Sequence, residues 1–238
     1  MVSRLKMCGK QERNARPLRR GCLPLRNGGP ECRSSAEGGA RENQTELRGS
    51  KEALHLSMID YTIREFRPET DILKPFDCGN SDLNGFLLET GTKEPNATLS
   101  EKELLAATFI VEDNTSHDIL AYFSLLHDKI DRQIADKAIW NKLSREIPNA
   151  KRRSSYPALK IGKLAVSQTV KTHGLGTLIL NFVEWSFLRE RRAGCRFITV
   201  DALREAEGFY AKNFFKPLVK PAPEDETVLM FFDLKVIA

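Results

Sequence analysis

The residues of this chain best suited to chemistry lie between Leu164 and Thr177, where LAVSQTVKTHGLGT joins a strand-like run to a helix-like one. Gly174 and Gly176 open that helix, so several backbone N–H groups at its start have no acceptor within the helix. Such an end attracts phosphate, through those N–H groups and through the positive pole of the helix. A glycine there lets an anion approach the backbone closely, and Lys171 adds positive charge nearby. A plain tight turn between strand and helix is the competing reading, because glycine pairs at this spacing are common.

The elements that position this loop follow from hydrophobic periodicity. Ala158 to Val166 is strand-like, and Leu175, Leu178, Ile179, Phe182, Val183 and Phe187 mark one face of a long helix ending near Gly194. Arg196 to Asp201 reads as a strand, Arg204 to Asn213 as a helix and Thr227 to Val236 as a last strand. Upstream, Tyr61 to Phe66 alternates as an edge strand does. The stretch FDCGNSDLNGFLLE reads as a loop running into a short helix, with Asn80 or Ser81 as N-cap and Asp82 in the first turn. Leu104 to Val111 and Ile119 to Leu126 are apolar runs around a polar turn, which predicts a hairpin. Ile134, Ala138 and Ile139 predict a helix over 131–143, and 149–155 reads as an exposed loop. Strands alternating with helices imply a layered α/β or α+β domain.

The net charge of +5 would suggest a nucleic-acid partner if it lay on the folded part. It does not. Residues 1–57 hold 12 Lys and Arg against 6 Asp and Glu, and the rest of the chain holds 25 against 26, a net charge of −1. The first 57 residues show neither helical nor strand periodicity, and their composition predicts disorder. A basic nucleic-acid-binding arm, an organellar targeting peptide and an extension upstream of the true start are the three readings of this tail. The third is favoured, because Met58 stands directly before the strand-like run from Ile59. The expected organisation is therefore a tail at 1–57 and one domain at 58–238. Only Cys78 and Cys195 fall in that domain, with no paired metal-ligand spacing, which argues for a reducing, cytoplasmic setting and against a zinc site. No apolar run is long enough to span a membrane.

With these elements in place, Leu164 to Thr177 resembles motif A of the GCN5-related N-acetyltransferases, in which Leu-Ala-Val is followed by Q/R-x-x-G-x-G/A and a long helix. Lys171 stands where that motif has Gln or Arg, and Thr172 where it often has Gly. Further on, VDALREAEGFYAKNFFKPL resembles motif B, with Ala206, Phe209, Tyr210 and Phe214 on its positions and Asn213 in place of a frequent Gly. The resemblance implies an α+β three-layer fold with a mixed central sheet of six to seven strands flanked by helices. It implies acetyl-CoA as co-substrate, with no metal, and a primary amine as acceptor. The backbone of Lys171, Thr172, His173, Gly174, Leu175, Gly176 and Thr177 would cradle the pyrophosphate. Leu164, Ala165 and Val166 would pair with the pantetheine arm, and a strand N–H there would meet the oxyanion. Tyr210, protonated at neutral pH, would be the general acid to the departing thiolate. A carboxylate, His173 or a water chain could serve as base, and the residues do not choose among them.

The segment PFDCGNSDLNGFL, together with AYFSL at Ala121 to Leu125, resembles acetyltransferase toxins that act on aminoacylated tRNA. That resemblance implies aminoacyl-tRNA and a small antitoxin as partners, and is compatible with a homodimer. The same segment also reads as a capped helix start with Phe76 and Leu83 packing inward. Basic clusters at Lys151 to Arg153 and at Arg189, Arg191 and Arg192 are equally well explained as solvated surface. Three functions are weighed: an acetyltransferase of unspecified amine specificity, a toxin acetylating charged tRNA, and a CoA-binding interaction domain without catalysis.

Overall fold

Seven strands whose apolar residues alternate between two faces build one sheet in this chain, seen in a computed structural model that describes residues 60–88, 95–171, 174–190 and 193–238. The expectations for the tail at 1–57 lie outside the described residues. The elements run in the order β1 (Tyr61–Glu65), α1 (Ser81–Leu87), α2 (Asn96–Lys102), β2 (Ala107–Asp113), β3 (Ile119–Asp131), α3 (Lys137–Arg145), β4 (Ser155–Val166), α4 (Leu175–Glu190), β5 (Phe197–Leu203), α5 (Glu207–Lys212), β6 (Lys216–Pro217) and β7 (Thr227–Asp233). In the sheet the strands lie β1-β2-β3-β4-β5-β7-β6. Every neighbouring pair is antiparallel except β4 and β5, which are parallel and joined by the α4 crossover. This is the mixed α+β architecture expected, with seven strands where the resemblance implies six to seven.

The period of two along each strand sorts the core into layers. Val111, Phe123, Leu159, Ile161, Ile198 and Val200 face α4 and α5 on one side of the sheet. The opposite face has two separate cores. One joins Ile130, Tyr156 and Phe197 to Trp140 and Leu143 of α3, and the other joins Ile110, Tyr122 and Ala165 to Leu87 of α1 and Ala97 of α2. Helix α4 inserts Leu175, Ile179, Leu180 and Val183, each at most 1% exposed, into the first core. Burying each contributes roughly 1.5–3 kcal/mol, which fixes the helix whose first turn the candidate phosphate loop forms.

Several boundaries differ from expectation for local reasons. The strand expected from Leu104 begins at Ala107, because an unforeseen helix, α2, precedes it. Leu104 and Leu105 donate to the carbonyls of Glu101 and Ser100 at the end of that helix, which leaves them 91% and 69% exposed. The helix expected from Asp131 begins at Lys137, because β3 runs on through Asp131, which pairs with Ser155. The Asp131 carboxylate then accepts from the Gln133 N–H, closing a turn that leaves Ile134 exposed. The segment from Arg204 is a 3₁₀ turn over Arg204–Ala206 before α5. The Asn80 cap is as expected: its side chain accepts from the N–H groups of Asp82 and Leu83.

Glu184 on α4 is half-buried, and loss of solvent raises its carboxyl to about 7. Burial favours the protonated form, so the stability it contributes is full below the ordinary value near 4.5 and is lost as pH rises through about 7. Urea denaturation of wild type and Glu184→Gln should therefore give similar midpoints near pH 4.5, with the variant the more stable by pH 8. An offset independent of pH would contradict this.

Candidate active site

The site is built on an interrupted strand pairing. β4 and β5 pair only through Ala158–Ile161 with Phe197–Val200. Beyond Ile161, β4 continues to Val166 bonded to β3 alone, with Phe123, Tyr122 and Ala121 opposite Leu164, Ala165 and Val166. Among the described residues no strand lies along the other edge of that stretch, so its backbone groups face a fork between β4 and β5. Unpaired backbone donors and acceptors are strong hydrogen-bonding groups that demand a partner, and an extended chain of amides lying in the fork would supply one. Leu164 and Val166 turn their side chains toward the α4 core, and Ala165 lies in the core beneath α1.

The fork opens at a bulge. Ser124 pairs with Lys163 and Leu125 with Ile161, leaving Gly162 as the extra residue of β4. A bulge bends its strand, and here it sits one residue beyond the last β4–β5 pair. A side chain at Gly162 would meet Leu126 Cδ2 at 2.7 Å and Ser124 Oγ at 3.0 Å. Sequence reasoning passed over this glycine; a Gly inside an apolar strand pattern is the signal that marks it.

After β4 the chain makes a 3₁₀ turn, Gln168–Val170, capped by the Ser167 hydroxyl, and reaches Lys171, which is exposed. Thr172 and His173 lie outside the described residues. Gly174 adopts φ 73°, the left-handed region that glycine enters freely, and its carbonyl accepts from Leu178 N at 3.1 Å to start α4. The two glycines have different duties. Nothing lies within 4 Å of a side chain built on Gly174, whereas one on Gly176 would stand 3.0 Å from Phe209 Cζ. Gly176 thus lets α5 pack against the first turn of α4, joining the segments of the two sequence motifs.

Tyr210 of α5 is 5% exposed, edge-on to Phe209 and Phe215 with ring centroids 5.1 and 5.4 Å away. Burial pushes its hydroxyl well above the usual tyrosine value, so it stays protonated throughout the neutral range. Among the described residues its hydroxyl has no hydrogen-bond partner. Phe215, not Phe214, takes the buried position at 3% exposure. Phe214 is the left-handed residue at φ 66° that ends α5, with its ring 76% exposed, where a glycine would relieve strain.

On the face opposite α4, the register brings charged residues to the fork. Lys160 Nζ meets Asp201 Oδ2 at 2.5 Å, and Asp201 is the first β5 residue beyond the last pair with β4. Below them the Thr199 hydroxyl donates to Asp128 Oδ2 at 2.5 Å, across the small Ala158. Lys163 Nζ lies 5.9 Å from the ring centre of Phe86 on α1. None of these residues stood out in sequence, because they meet only through sheet register. The basic clusters are partly accounted for: Arg152 donates to the carbonyls of Ser144 and Ile147 at the end of α3, and Arg189 lies over the Trp185 ring. Among the described residues no group of His, Cys, Asp and Glu could hold a metal ion, and no helix is long and apolar enough to cross a membrane.

No protein-family model matches the chain, and no curated protein matches it. Solved structures do. A structure of AtaT complexed with acetyl-methionyl-tRNAfMet matches at 25% identity and a TM-score of 0.57, over 75% of this chain and 97% of that one. A tyrosine-to-phenylalanine mutant of KacT matches at 20% identity and a TM-score of 0.58, over 74% and 96%. A structure of AtaTR bound with acetyl-CoA matches at 23% identity and a TM-score of 0.55, over 75% and 96%. The chain therefore has the GCN5-related N-acetyltransferase fold, and the proteins it is similar to are acetyltransferase toxins.

The Gly176–Phe209 contact is testable without any ligand. Gly176→Ala should destabilise the protein by about 1–3 kcal/mol through overpacking, and Phe209→Leu in the same chain should recover part of that loss. Gly174→Ala, strained by its backbone alone, should gain nothing from Phe209→Leu. Denaturant midpoints of these variants and of Phe209→Leu alone decide it, and purely additive effects would contradict the contact.

Proposed function

We propose that this chain transfers the acetyl group of acetyl-CoA to a primary amine by direct attack. The observation that carries this is the β4–β5 fork, with a glycine-opened helix start at one end and a buried, protonated tyrosine from the next helix. The pantetheine arm pairs with the open edge of β4 over 162–166, and its pyrophosphate rests on the N–H groups at the start of α4. Lys171 adds its charge there. Structures of similar fold bound to acetyl-CoA support this reading.

The acceptor approaches from the face opposite α4. Its neutral nitrogen attacks the thioester carbon, and a strand N–H of 164–166 stabilises the oxyanion. As the carbon–sulfur bond breaks, Tyr210 donates its proton to the thiolate. We assign Asp201, held by Lys160, to take the proton that the amine loses. A strongly raised hydroxyl value makes Tyr210 a weak acid in the resting site, yet one that never loses its proton to solvent at neutral pH. Transfer then waits for the negative charge that forms on sulfur.

For the acceptor class, we propose the α-amine of an aminoacyl-tRNA, with a small antitoxin protein as partner. Similarity over almost the whole length of AtaT, which was solved with acetyl-methionyl-tRNAfMet, supports it. So does a complex of a related chain with the C-terminus of the antitoxin AtaR. A CoA-binding domain without catalysis is the weaker reading, since Tyr210 keeps a hydroxyl with no hydrogen-bond partner among the described residues.

Tyr210→Phe should lower kcat by about 10²-fold or more while leaving the KM for acetyl-CoA within a factor of two. Labelled acetyl-CoA offered with methionyl-tRNA, other aminoacyl-tRNAs, polyamines and peptides reads both points. Transfer undiminished in the variant removes Tyr210 from the mechanism, and labelling of polyamines or peptides alone removes the tRNA assignment.

A further inference from the structure

The segment FDCGNSDLN does more than start a helix. Asp77 Oδ1 accepts from the Gly79 N–H and from the Asn84 side chain, both at 2.8 Å, while Cys78 N donates to Asn84 Oδ1 at 2.9 Å. The other carboxylate oxygen accepts from Gln168 Nε2 at 2.9 Å, and Gln168 N donates to the Asp77 carbonyl at the same distance. Gly79 sits at φ 83° with Gln168 Nε2 only 3.2 Å from where its Cβ would be, so a side chain there would press on this contact. The Gly79 N–H first, then Asn84 and Gln168, hold the Asp77 carboxyl below its ordinary value, so it is fully ionised at neutral pH.

One residue therefore ties together elements on the two sides of the sheet. Helix α1 lies over Tyr122 and Ala165 on the acceptor face, where Tyr122 donates its hydroxyl to the Leu83 carbonyl at 2.6 Å and stacks on Phe86. Gln168 belongs to the short turn that ends at Val170, directly before Lys171, and the chain goes on from there to α4 on the other face. We propose that Asp77 is a positioning residue that couples the two halves of the site: seating of CoA at the phosphate loop fixes the turn at Gln168, and through Asp77 fixes α1 at the acceptor side of the fork. Aligning donor and acceptor in this way restricts attack to a pre-oriented geometry. The inference rests on the acetyl-CoA reading above and adds a link between its two subsites.

The test uses hydrogen–deuterium exchange of the full chain with and without saturating CoA, together with calorimetric binding. In wild type, CoA should slow exchange both at the start of α4 and across α1, residues 81–87. Gln168→Glu sets two carboxylates against each other; CoA should still protect α4, with affinity reduced about tenfold, but should no longer protect α1. Asp77→Asn combined with Gln168→Glu rebuilds a donor–acceptor pair with the roles exchanged, and should restore both the affinity and the α1 response. A purely structural contact would change overall stability without changing how α1 responds to CoA. Binding that leaves α1 unaffected in wild type, or α1 protection undiminished in Gln168→Glu, overturns the coupling while leaving the acetyl-CoA reading intact. A wild-type chain that binds no CoA overturns both. If Gln168→Glu fails to fold, the wild-type arm and the exchanged pair still decide the matter.

Discussion

The structure depends on a pairing that stops early. β4 is 12 residues long and β5 is 7, yet only four residues of each are bonded together. A parallel pair buried in the middle of a sheet would ordinarily run on, because every unpaired backbone group in the interior is costly. The bulge at Gly162 turns β4 away at the point where pairing ends, and the chain carries that cost through an open fork. Everything assigned to the site is arranged around this opening. The candidate phosphate loop begins where β4 finishes, and Tyr210 comes from the helix that follows β5. Lys160 and Asp201 face each other across its base.

A fork is useful only if its two sides hold their spacing. On the α4 side, the spacing comes from packing: Leu175 and Ile179 fix α4, and Gly176 admits Phe209, which holds α5 against the first turn of α4. On the other side it comes from polar contacts. Asp77 accepts from the Asn84 and Gln168 side chains, and Asn80 caps α1 by accepting from the N–H groups of Asp82 and Leu83, polar contacts that add rigidity. The Tyr210 side chain is the counterpart of this rigidity. It lies in an apolar setting that ordinary packing would fill with phenylalanine, and Phe209 and Phe215 on either side show that the surroundings suit one.

Much of this was legible in the chain itself, and the reasons for the rest are specific. The Leu-Ala-Val strand, the glycine-opened helix and the Phe209–Tyr210 pair are contiguous patterns, so their elements could be placed from periodicity alone. Asn80 announced its cap because capping is local. The splay of β4 from β5, the Lys160–Asp201 pair and the Asp77–Gln168 joint depend on register between segments distant in sequence, and no spacing rule encodes them. Phe214 and Phe215 were indistinguishable as letters; only the backbone shows which one turns left-handed and which one is buried. α2 escaped notice because NATLSEK has few apolar residues to mark a face.

The most direct measurement is a crystal structure of the full chain soaked with acetyl-CoA. With the site centred on the fork, the pantetheine amides should be hydrogen-bonded to β4 within 162–166, the pyrophosphate should rest on the N–H groups of 174–177, and the thioester sulfur should lie within hydrogen-bond reach of the Tyr210 hydroxyl. Acetyl-CoA bound elsewhere, or a fork closed by β5 pairing with β4 beyond Ile161, would contradict it.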